Sequence, residues 1–248
     1  MDALWPRIGT AGWAVPAIDA GQAAGPGSHL ERYARRLNAV EINSSFHRSH
    51  RTATYARWAA ATPQDFRFAV KLPKAITHER ALEDCSALLE RFTDEVAGLG
   101  DKLAILLLQL PPKGALSKRI AGAFFRALRR RFAATVALEP RHPSWFSPGA
   151  EAWLAAQEIA RVAADPTTAA LADLGAGEPG GWRGLAYYRW HGAPRRYYSE
   201  YDAAALAKLQ QRLAEHGRLG LPTWCIFDNT ASGAAFGNAL ALKHLMTG

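Results

Sequence analysis

The amino-acid sequence predicts an α/β fold, namely a single-domain (β/α)8 barrel of the TIM type over residues 1–248. Three observations predict it. The chain has 248 residues, close to the ~250 of one such barrel. Short apolar segments alternate with helical patterns eight times, without a break in composition. Each apolar segment also runs into a polar residue at its C-terminal end, where enzymes of this fold keep their active sites.

The eight predicted strands share one side-chain pattern. Successive side chains of a strand point to opposite faces of the sheet. In the second strand, Val40 and Ile42 therefore face one side while Glu41 faces the other. The same parity holds at the other strand ends, so their polar side chains are expected on one rim. The predicted strands cover residues 5–9, 39–43, 66–71, 103–110, 135–139, 159–165, 185–191 and 223–228.

Helix signals fill the gaps between these strands. Ser28 and Glu31 have the spacing of a capping box, which predicts a helix through Leu37. The helix after strand six is predicted to be short and to end near Gly175, and the last helix covers about residues 232–246. Further helix starts are predicted where Ser or Asp precedes a helical pattern, at Ser117, Ser147 and Asp202.

Composition limits the class of protein. Hydrophobic residues make up 49% of the chain and charged residues 21%, which suits one large core. The longest apolar run, residues 103–108, is far shorter than the ~20 residues that cross a bilayer, so no membrane partner is expected. The first residues lack a signal-peptide pattern, and Cys85 and Cys225 lack metal-type spacing. We therefore expect a cytoplasmic location.

The predicted rim combines carboxylates with cations, a combination that shifts pKa values strongly at acid–base sites. Glu41 and Glu139 are the candidate acid–base pair, because both end a strand with inward parity. His191 or His142 is the candidate proton shuttle. These four residues are the predicted catalytic set.

Cationic side chains on the same rim predict an anionic, phosphate-bearing substrate, since Arg can hold such a group through two parallel hydrogen bonds. Lys71, Arg141 and Arg189 are expected to bind the anion. Aromatic side chains in the adjoining loops could stack a sugar or base. The predicted substrate-binding residues are Trp13, Asn43, Phe46, Lys71, Gln109, Arg141, Asp165, Arg189, Asp228 and Asn229.

Three alternatives stay open on the sequence. The charged rim could be a structural ion-pair network, although burying charges usually costs more than it stabilises. Its oxygen and nitrogen atoms could hold a divalent metal, but no diagnostic ligand spacing is present, so no cofactor is predicted. The net charge of +8 suits a polyanionic partner, so a non-catalytic nucleic-acid-binding module is the alternative to an enzyme acting on a small anion.

Motifs spread over nearly the whole chain share one family pattern. They include residues 8–13, 40–46, 109–112, 139–145, 188–192 and 227–229. In this order they resemble the YecE-like family, a bacterial and archaeal domain of unknown function with a (β/α)8-type barrel. The resemblance implies that fold and a shared polar cleft, and it implies no particular activity. The chain departs from the family pattern at His47, where Tyr is usual, and at Asp228, where Asn is usual.

Overall fold

Strands and helices alternate along the chain. The computed structural model describes residues 5–247, so residues 1–4 and 248 of the predicted domain lie outside the described range. The strands are β1 Arg7–Thr10, β2 Ala39–Ile42, β3 Arg67–Lys71, β4 Leu103–Gln109, β5 Thr135–Glu139, β6 Ile159–Arg161, β7 Ala163–Asp165, β8 Gly180–Gly181, β9 Ala186–Trp190 and β10 Thr223–Phe227. The helices are α1 His29–Ala34, α2 Thr52–Ala60, α3 Ser86–Val96, α4 Lys118–Arg129, α5 Pro148–Ala156, α6 Ala169–Ala172, α7 Ala203–Arg218 and α8 Ala234–Thr247.

The strands form two sheets. One has the order β1-β10-β9-β7 and the other β2-β3-β4-β5-β6-β8. All pairings are parallel except that of β8 with β6. The fold is thus a single-domain α/β fold with parallel sheets. The predicted closed (β/α)8 barrel is not confirmed, because the described strands pair as two sheets and not as one.

Two local contacts connect the edges of these sheets. An isolated parallel bridge pairs Ala11, just after β1, with Glu41 of β2. At the other edges, Val162 alone separates β6 from β7. The prediction of one strand over 159–165 is therefore wrong in detail. Its first half pairs with β5 and its second half with β9.

Side-chain parity along the strands divides the apolar residues into two clusters. Val40, Ile42 and their equivalents in other strands join the larger cluster, which also holds the helix residues. Ala39, Ala69 and Leu107 belong to a smaller cluster of strand side chains on the opposite face. The faces predicted for Glu41 and Lys71 agree with this division, whereas the inward face predicted for Asp165 is wrong, because Ile159 and Ala163 of the same parity belong to the larger cluster. The face of the smaller cluster is the one that also carries Glu41, Lys71 and other polar residues, at the C-terminal ends of the strands.

The predicted helix starts are confirmed by their capping contacts. Ser28 and Glu31 form both hydrogen bonds of a capping box, which satisfies amide groups that have no partner within the helix. Side chains also cap the helices that follow Ser117, Ser147 and Asp202. The first helix is shorter than predicted and ends at Ala34. Within residues 5–247, no helix is long and apolar enough to cross a membrane.

Candidate functional site

Arg189 lies at the centre of a buried ion-pair network. It is 0% exposed, near the C-terminal end of β9. Its Nε and Nη2 donate to the two carboxylate oxygens of Glu41, at 3.0 and 2.7 Å. Nη1 donates to Glu139, and Nη2 also donates to Asp228 Oδ2 at 3.0 Å. Three carboxylates therefore surround one guanidinium, and every nitrogen of that group already donates to a carboxylate.

Glu139 extends the network toward solvent. Its Oε1 accepts hydrogen bonds from Gln109 Nε2 at 2.8 Å and from Arg141 Nη2 at 3.2 Å. The Glu139 side chain is 2% exposed, whereas that of Arg141 is 22% exposed. Burial alone would raise the pKa of Glu139, but Arg189, His191 and Arg141 lower it well below its ordinary value. Glu139 is therefore ionised at neutral pH.

His191 and Asp228 form the third part of the network. His191 Nδ1 lies 2.9 Å from Asp228 Oδ2, and His191 Nε2 lies 3.5 Å from Glu139 Oε1. Burial opposes ionisation of Asp228, but Arg189 and then His191 lower its pKa below the ordinary value. His191 Nε2 is buried and has no hydrogen-bond partner among the described residues. The imidazole thus lies between two carboxylates, but only its Nδ1 is within hydrogen-bonding geometry of one, and Nε2 has only the longer contact with Glu139.

Lys71 lies beside this network without joining it. Its Nζ is 4.2 Å from the centre of the Phe46 ring. None of the ion pairs found among residues 5–247 includes Lys71. Burial, and then the charge of Arg189, lower the pKa of Lys71 to about 8, although the nearby carboxylates oppose the shift. The residue is 9% exposed, so Lys71 is largely buried but keeps some contact with solvent.

His78 also packs against Phe46, with the two ring centres 5.0 Å apart. Its Nδ1 is 2.8 Å from Thr77 Oγ1. Burial, and then the charges of Lys71 and Arg141, lower its pKa below the ordinary value. His78 is therefore a neutral imidazole at pH 7, placed among cationic groups.

A cavity of about 340 Å3, here called the rim cavity, opens beside His78. Its wall includes His78, Leu82, Lys113 and Trp145. Residues 81, 82 and 84 have φ values of 48°, 72° and 49°, which L-residues adopt at a cost of about 1–3 kcal/mol each. Such conformations concentrate at ligand-binding sites. The rim cavity therefore combines an open wall, a neutral histidine and a strained backbone.

A further residue with a left-handed backbone conformation lies beside His191. Tyr197 has a φ of 69°, and its ring centre is 5.6 Å from that of His191. Its hydroxyl is close enough to Arg141 to raise the pKa of that guanidinium, together with Glu139 and against the effect of burial. The loop that carries Tyr197 therefore covers the exposed edge of the network.

Most predicted site residues come together in this region. Glu41, Glu139, His191, Arg189, Asp228, Gln109 and Arg141 form the hydrogen-bonded network. Lys71 and Phe46 pair beside it. Asn43 Oδ1 is buried and has no hydrogen-bond partner among the described residues. The predicted rim is thus a real cluster of polar residues.

Four predicted residues have other surroundings. The carboxylate of Asp165 accepts from Tyr201 at 2.7 Å, because Asp165 has the parity of Ile159 and Ala163, which both belong to the larger apolar cluster. His142 Nδ1 accepts from the backbone N–H of Ser144 and caps its own turn. Trp13 packs edge-on against Trp58, with ring centres 5.0 Å apart. Asn229 is buried and donates to Ser199 O and Asn238 Oδ1.

Arg189 also has a different role from the predicted one. All its donors bind carboxylates of the same chain, so the anion-binding role expected from the sequence does not fit its contacts. Tyr187 is a member of the network that sequence reasoning left out of the site. Its hydroxyl donates to Glu41 Oε2 at 2.9 Å. Its position two residues before Arg189, on the same face of the strand, was the available signal.

A larger cavity, about 950 Å3, lies elsewhere. Its wall includes Leu185 and Pro222, which directly precede β9 and β10. It therefore lies at the strand ends opposite to the ion-pair network. Within residues 5–247, no group of three or more His, Cys, Asp and Glu side chains is arranged to hold a metal ion.

Fold and site together define a parallel α/β protein with a buried ion-pair network at the C-terminal ends of its strands. A family model described as "Protein of unknown function DUF72" matches residues 7–248, and the chain belongs to this family. The curated relative UPF0759 protein YecE of Escherichia coli strain K12 is 33% identical over 123 residues, which are 49% of this chain. The match spans 44% of that relative's own length. The predicted YecE-like family is thereby confirmed.

Two solved structures of DUF72 proteins share the fold. The Thermotoga maritima structure has a TM-score of 0.79 and 25% identity, and the match covers 98% of this chain and 100% of that one. The Enterococcus faecalis structure has a TM-score of 0.78 and 21% identity, with 97% and 95% covered. These likenesses support the α/β fold over almost the full chain.

Proposed function

We propose that this protein is an enzyme that acts on a small anionic substrate, bearing phosphate or carboxylate, by acid–base chemistry at the strand C-terminal rim. One observation carries the proposal. Arg189 is surrounded by three carboxylates, while Lys71 has no ion pair among the described residues and Arg141 is 22% exposed. Arg189 balances only one of the three carboxylate charges, so Lys71 and Arg141 supply the other two positive charges, and Arg141, at 22% side-chain exposure, is the one that reaches solvent.

Each outer group has a role in the proposal. Arg141 binds the anion, because a guanidinium that is partly exposed can offer two parallel hydrogen bonds. His78 transfers protons, because an imidazole that is neutral at pH 7 can accept one and then return it. Glu41 and Glu139, predicted as the acid–base pair, instead hold Arg189 and set the electrostatic field around Lys71.

Unpaired polar atoms support a ligand at this place. Asn43 Oδ1 and His191 Nε2 are buried without a hydrogen-bond partner among the described residues. Leaving such a group unpaired costs about 1–3 kcal/mol. A bound substrate that supplies hydrogen bonds to these atoms would offset that cost.

We also infer that the two sheets close into one (β/α)8 barrel. The Ala11–Glu41 bridge and the hydrogen bond from Gly12 N to Glu41 O support closure between β1 and β2. The continuous chain from β6 to β7 supports closure at the other edge. In such a barrel the rim would be the usual place for an active site. The proposal includes no metal or cofactor, and it places the protein, with the buried free thiols of Cys85 and Cys225, in the cytoplasm.

The anion site is tested with inorganic phosphate on the full chain, using thermal unfolding at constant ionic strength. Phosphate should raise the melting temperature of the wild type more than chloride does at the same ionic strength. Arg141→Ala should lose most of this additional increase in melting temperature. Arg119→Ala is the matched control, because its guanidinium is 83% exposed on α4. Equal phosphate increments in all three proteins would refute the proposed site.

The alternative function, binding of nucleic acid, predicts a different pattern. Its affinity for DNA or RNA would fall steeply with salt, in proportion to the phosphates neutralised. Arg119→Ala would then weaken binding, together with other exposed arginines of α4. If the protein is instead a small-molecule enzyme, its binding of nucleic acid should be undetectable or insensitive to salt. Only the Arg141 variant should then lose the increase in melting temperature that phosphate causes.

A further inference from the structure

We propose that Lys71 Nζ is an amine nucleophile that forms an imine with an aldehyde or ketone carrying a phosphate or carboxylate group. This inference rests on the proposed function, since it uses the same rim. It names the substrate as a carbonyl compound and names the atom that attacks it. The surroundings of Lys71 support this assignment.

First, the charged groups around Lys71 affect whether its amine is protonated. An ammonium group next to a free carboxylate keeps its proton and cannot attack a carbonyl. The carboxylates nearest to Lys71 belong to Glu41, Glu139 and Asp228, and all three bind Arg189 instead. Arg189 is the cation that opposes protonation of Lys71, and burial opposes it more strongly, while the three carboxylates act in the other direction. Burial and Arg189 together outweigh the carboxylates and favour the neutral amine.

The second step concerns access and orientation. Lys71 ends β3 with its amine on the polar face, and Phe46 supports it from one side at 4.2 Å. The lowered pKa of about 8 leaves about one quarter of the amine neutral at pH 7.5. An ordinary lysine would have about one part in a thousand neutral. Buried lysines of this kind act as general bases and Schiff-base nucleophiles.

The third step concerns the partners of the reaction. The neutral amine forms a C–N bond with the carbonyl carbon, and the π electrons move to oxygen. That oxygen then takes one proton from the attacking nitrogen and one from a general acid, and it leaves as water. The product is a protonated imine on Lys71. His78, whose ring contacts that of Phe46 and whose protonation responds to the charge of Lys71, relays these protons, while Arg141 holds the anionic end of the substrate.

Lys74 provides a matched control in the same loop. Its side chain is 53% exposed and pairs with Glu79 at 3.3 Å. An exposed lysine next to a carboxylate has the opposite surroundings to Lys71. Any aldehyde that reacts by exposure alone should modify Lys74 first.

The experiment uses pyridoxal 5′-phosphate as the probe, because it joins an aldehyde to a phosphate. The full chain is incubated with it near pH 7.5 and reduced with sodium borohydride, and the labelled lysines are identified by peptide mass mapping. We expect Lys71 to be labelled at least tenfold faster than Lys74. Excess pyridoxine 5′-phosphate, which has the phosphate but no aldehyde, should slow labelling of Lys71 and leave Lys74 unchanged.

The outcomes separate this inference from the proposed function. Labelling of Lys71 no faster than Lys74 overturns the inference, even if the phosphate increment that depends on Arg141 is observed. Fast labelling of Lys71 that Arg141→Ala does not slow supports the nucleophile and refutes the proposed anion role of Arg141. Because the mapping uses the wild-type chain, the result does not depend on whether a Lys71 variant folds.

Discussion

Arg189 and Glu41 form a two-point ion pair that is wholly buried, with Nε and Nη2 of the guanidinium at 3.0 and 2.7 Å from the two carboxylate oxygens. The pair connects β9 to β2, which belong to different sheets. Tyr187 donates a further hydrogen bond to the same carboxylate. Burial, and then Glu41, raise the pKa of Tyr187 well above its ordinary value, so the tyrosine remains a donor. This contact is therefore a structural element on which the rim depends.

Replacing Arg189 tests that dependence. Arg189→Met should lower the free energy of unfolding by at least about 3–5 kcal/mol, because it leaves buried carboxylates without their counter-ion. Urea unfolding measures the change. Arg212→Ala is the control, since its pair with Glu178 is exposed and should contribute at most about 1 kcal/mol. A similar loss in both variants would mean that the network contributes no more than a surface pair.

Glu139 combines structural and electrostatic roles. Glu139→Gln should destabilise the protein by about 3 kcal/mol, because Arg189 and Arg141 lose a shared negative charge. Thermal melts are compared with Glu158→Gln, which removes an exposed partner of Arg129 and should have little effect. If Glu139→Gln melts like the wild type but loses the phosphate increment, Glu139 belongs to the ligand site and not to the scaffold.

The network also predicts acid sensitivity. Glu139 and Asp228 have folded-state pKa values below their ordinary values of 4.5 and 3.8. A lowered carboxyl pKa contributes stability that is fully present above the unfolded pKa, and the contribution is lost as pH falls toward the folded pKa. Stability should therefore decline below about pH 4.5. The decline should be shallower in Glu139→Gln, and a parallel decline in both proteins would contradict the assignment.

Lys71 predicts a pH dependence of the same sign in a higher pH range, but a destabilising contribution at pH 7. Its folded pKa of about 8 lies below the ordinary 10.5, so the unfolded chain binds more protons between these values and wild-type stability should rise with pH there. Lys71→Met should stabilise the protein at pH 7 by roughly 1–3 kcal/mol, and the gain should shrink toward pH 10. Chemical denaturation at several pH values measures this effect. Lys74→Met should show no such trend, and a destabilised Lys71→Met would contradict the prediction.

Side-chain parity explains which parts of the site could be predicted. Glu41, Lys71 and Glu139 share the polar face because alternation along a strand is a local property of the backbone. Asp165 shows that a polar strand end alone is not enough. Ile159 and Ala163 belong to the larger cluster and Ala160 and Val162 to the smaller one, so unbroken alternation turns Asp165 toward the helices. Which parity faces inward is decided by packing against elements far away in the sequence.

The sequence by itself determined the order of strands and helices, the capped helix starts and the set of polar strand ends, because each follows from patterns within a few residues. Only the tertiary structure decided which cation those carboxylates hold. Arg189, Lys71 and Arg141 are equivalent as sequence signals, yet Arg189 is 0% exposed and fully paired while Lys71 has no ion pair among the described residues. The physical reason is that pairing and desolvation depend on distances between strands, which local patterns do not contain.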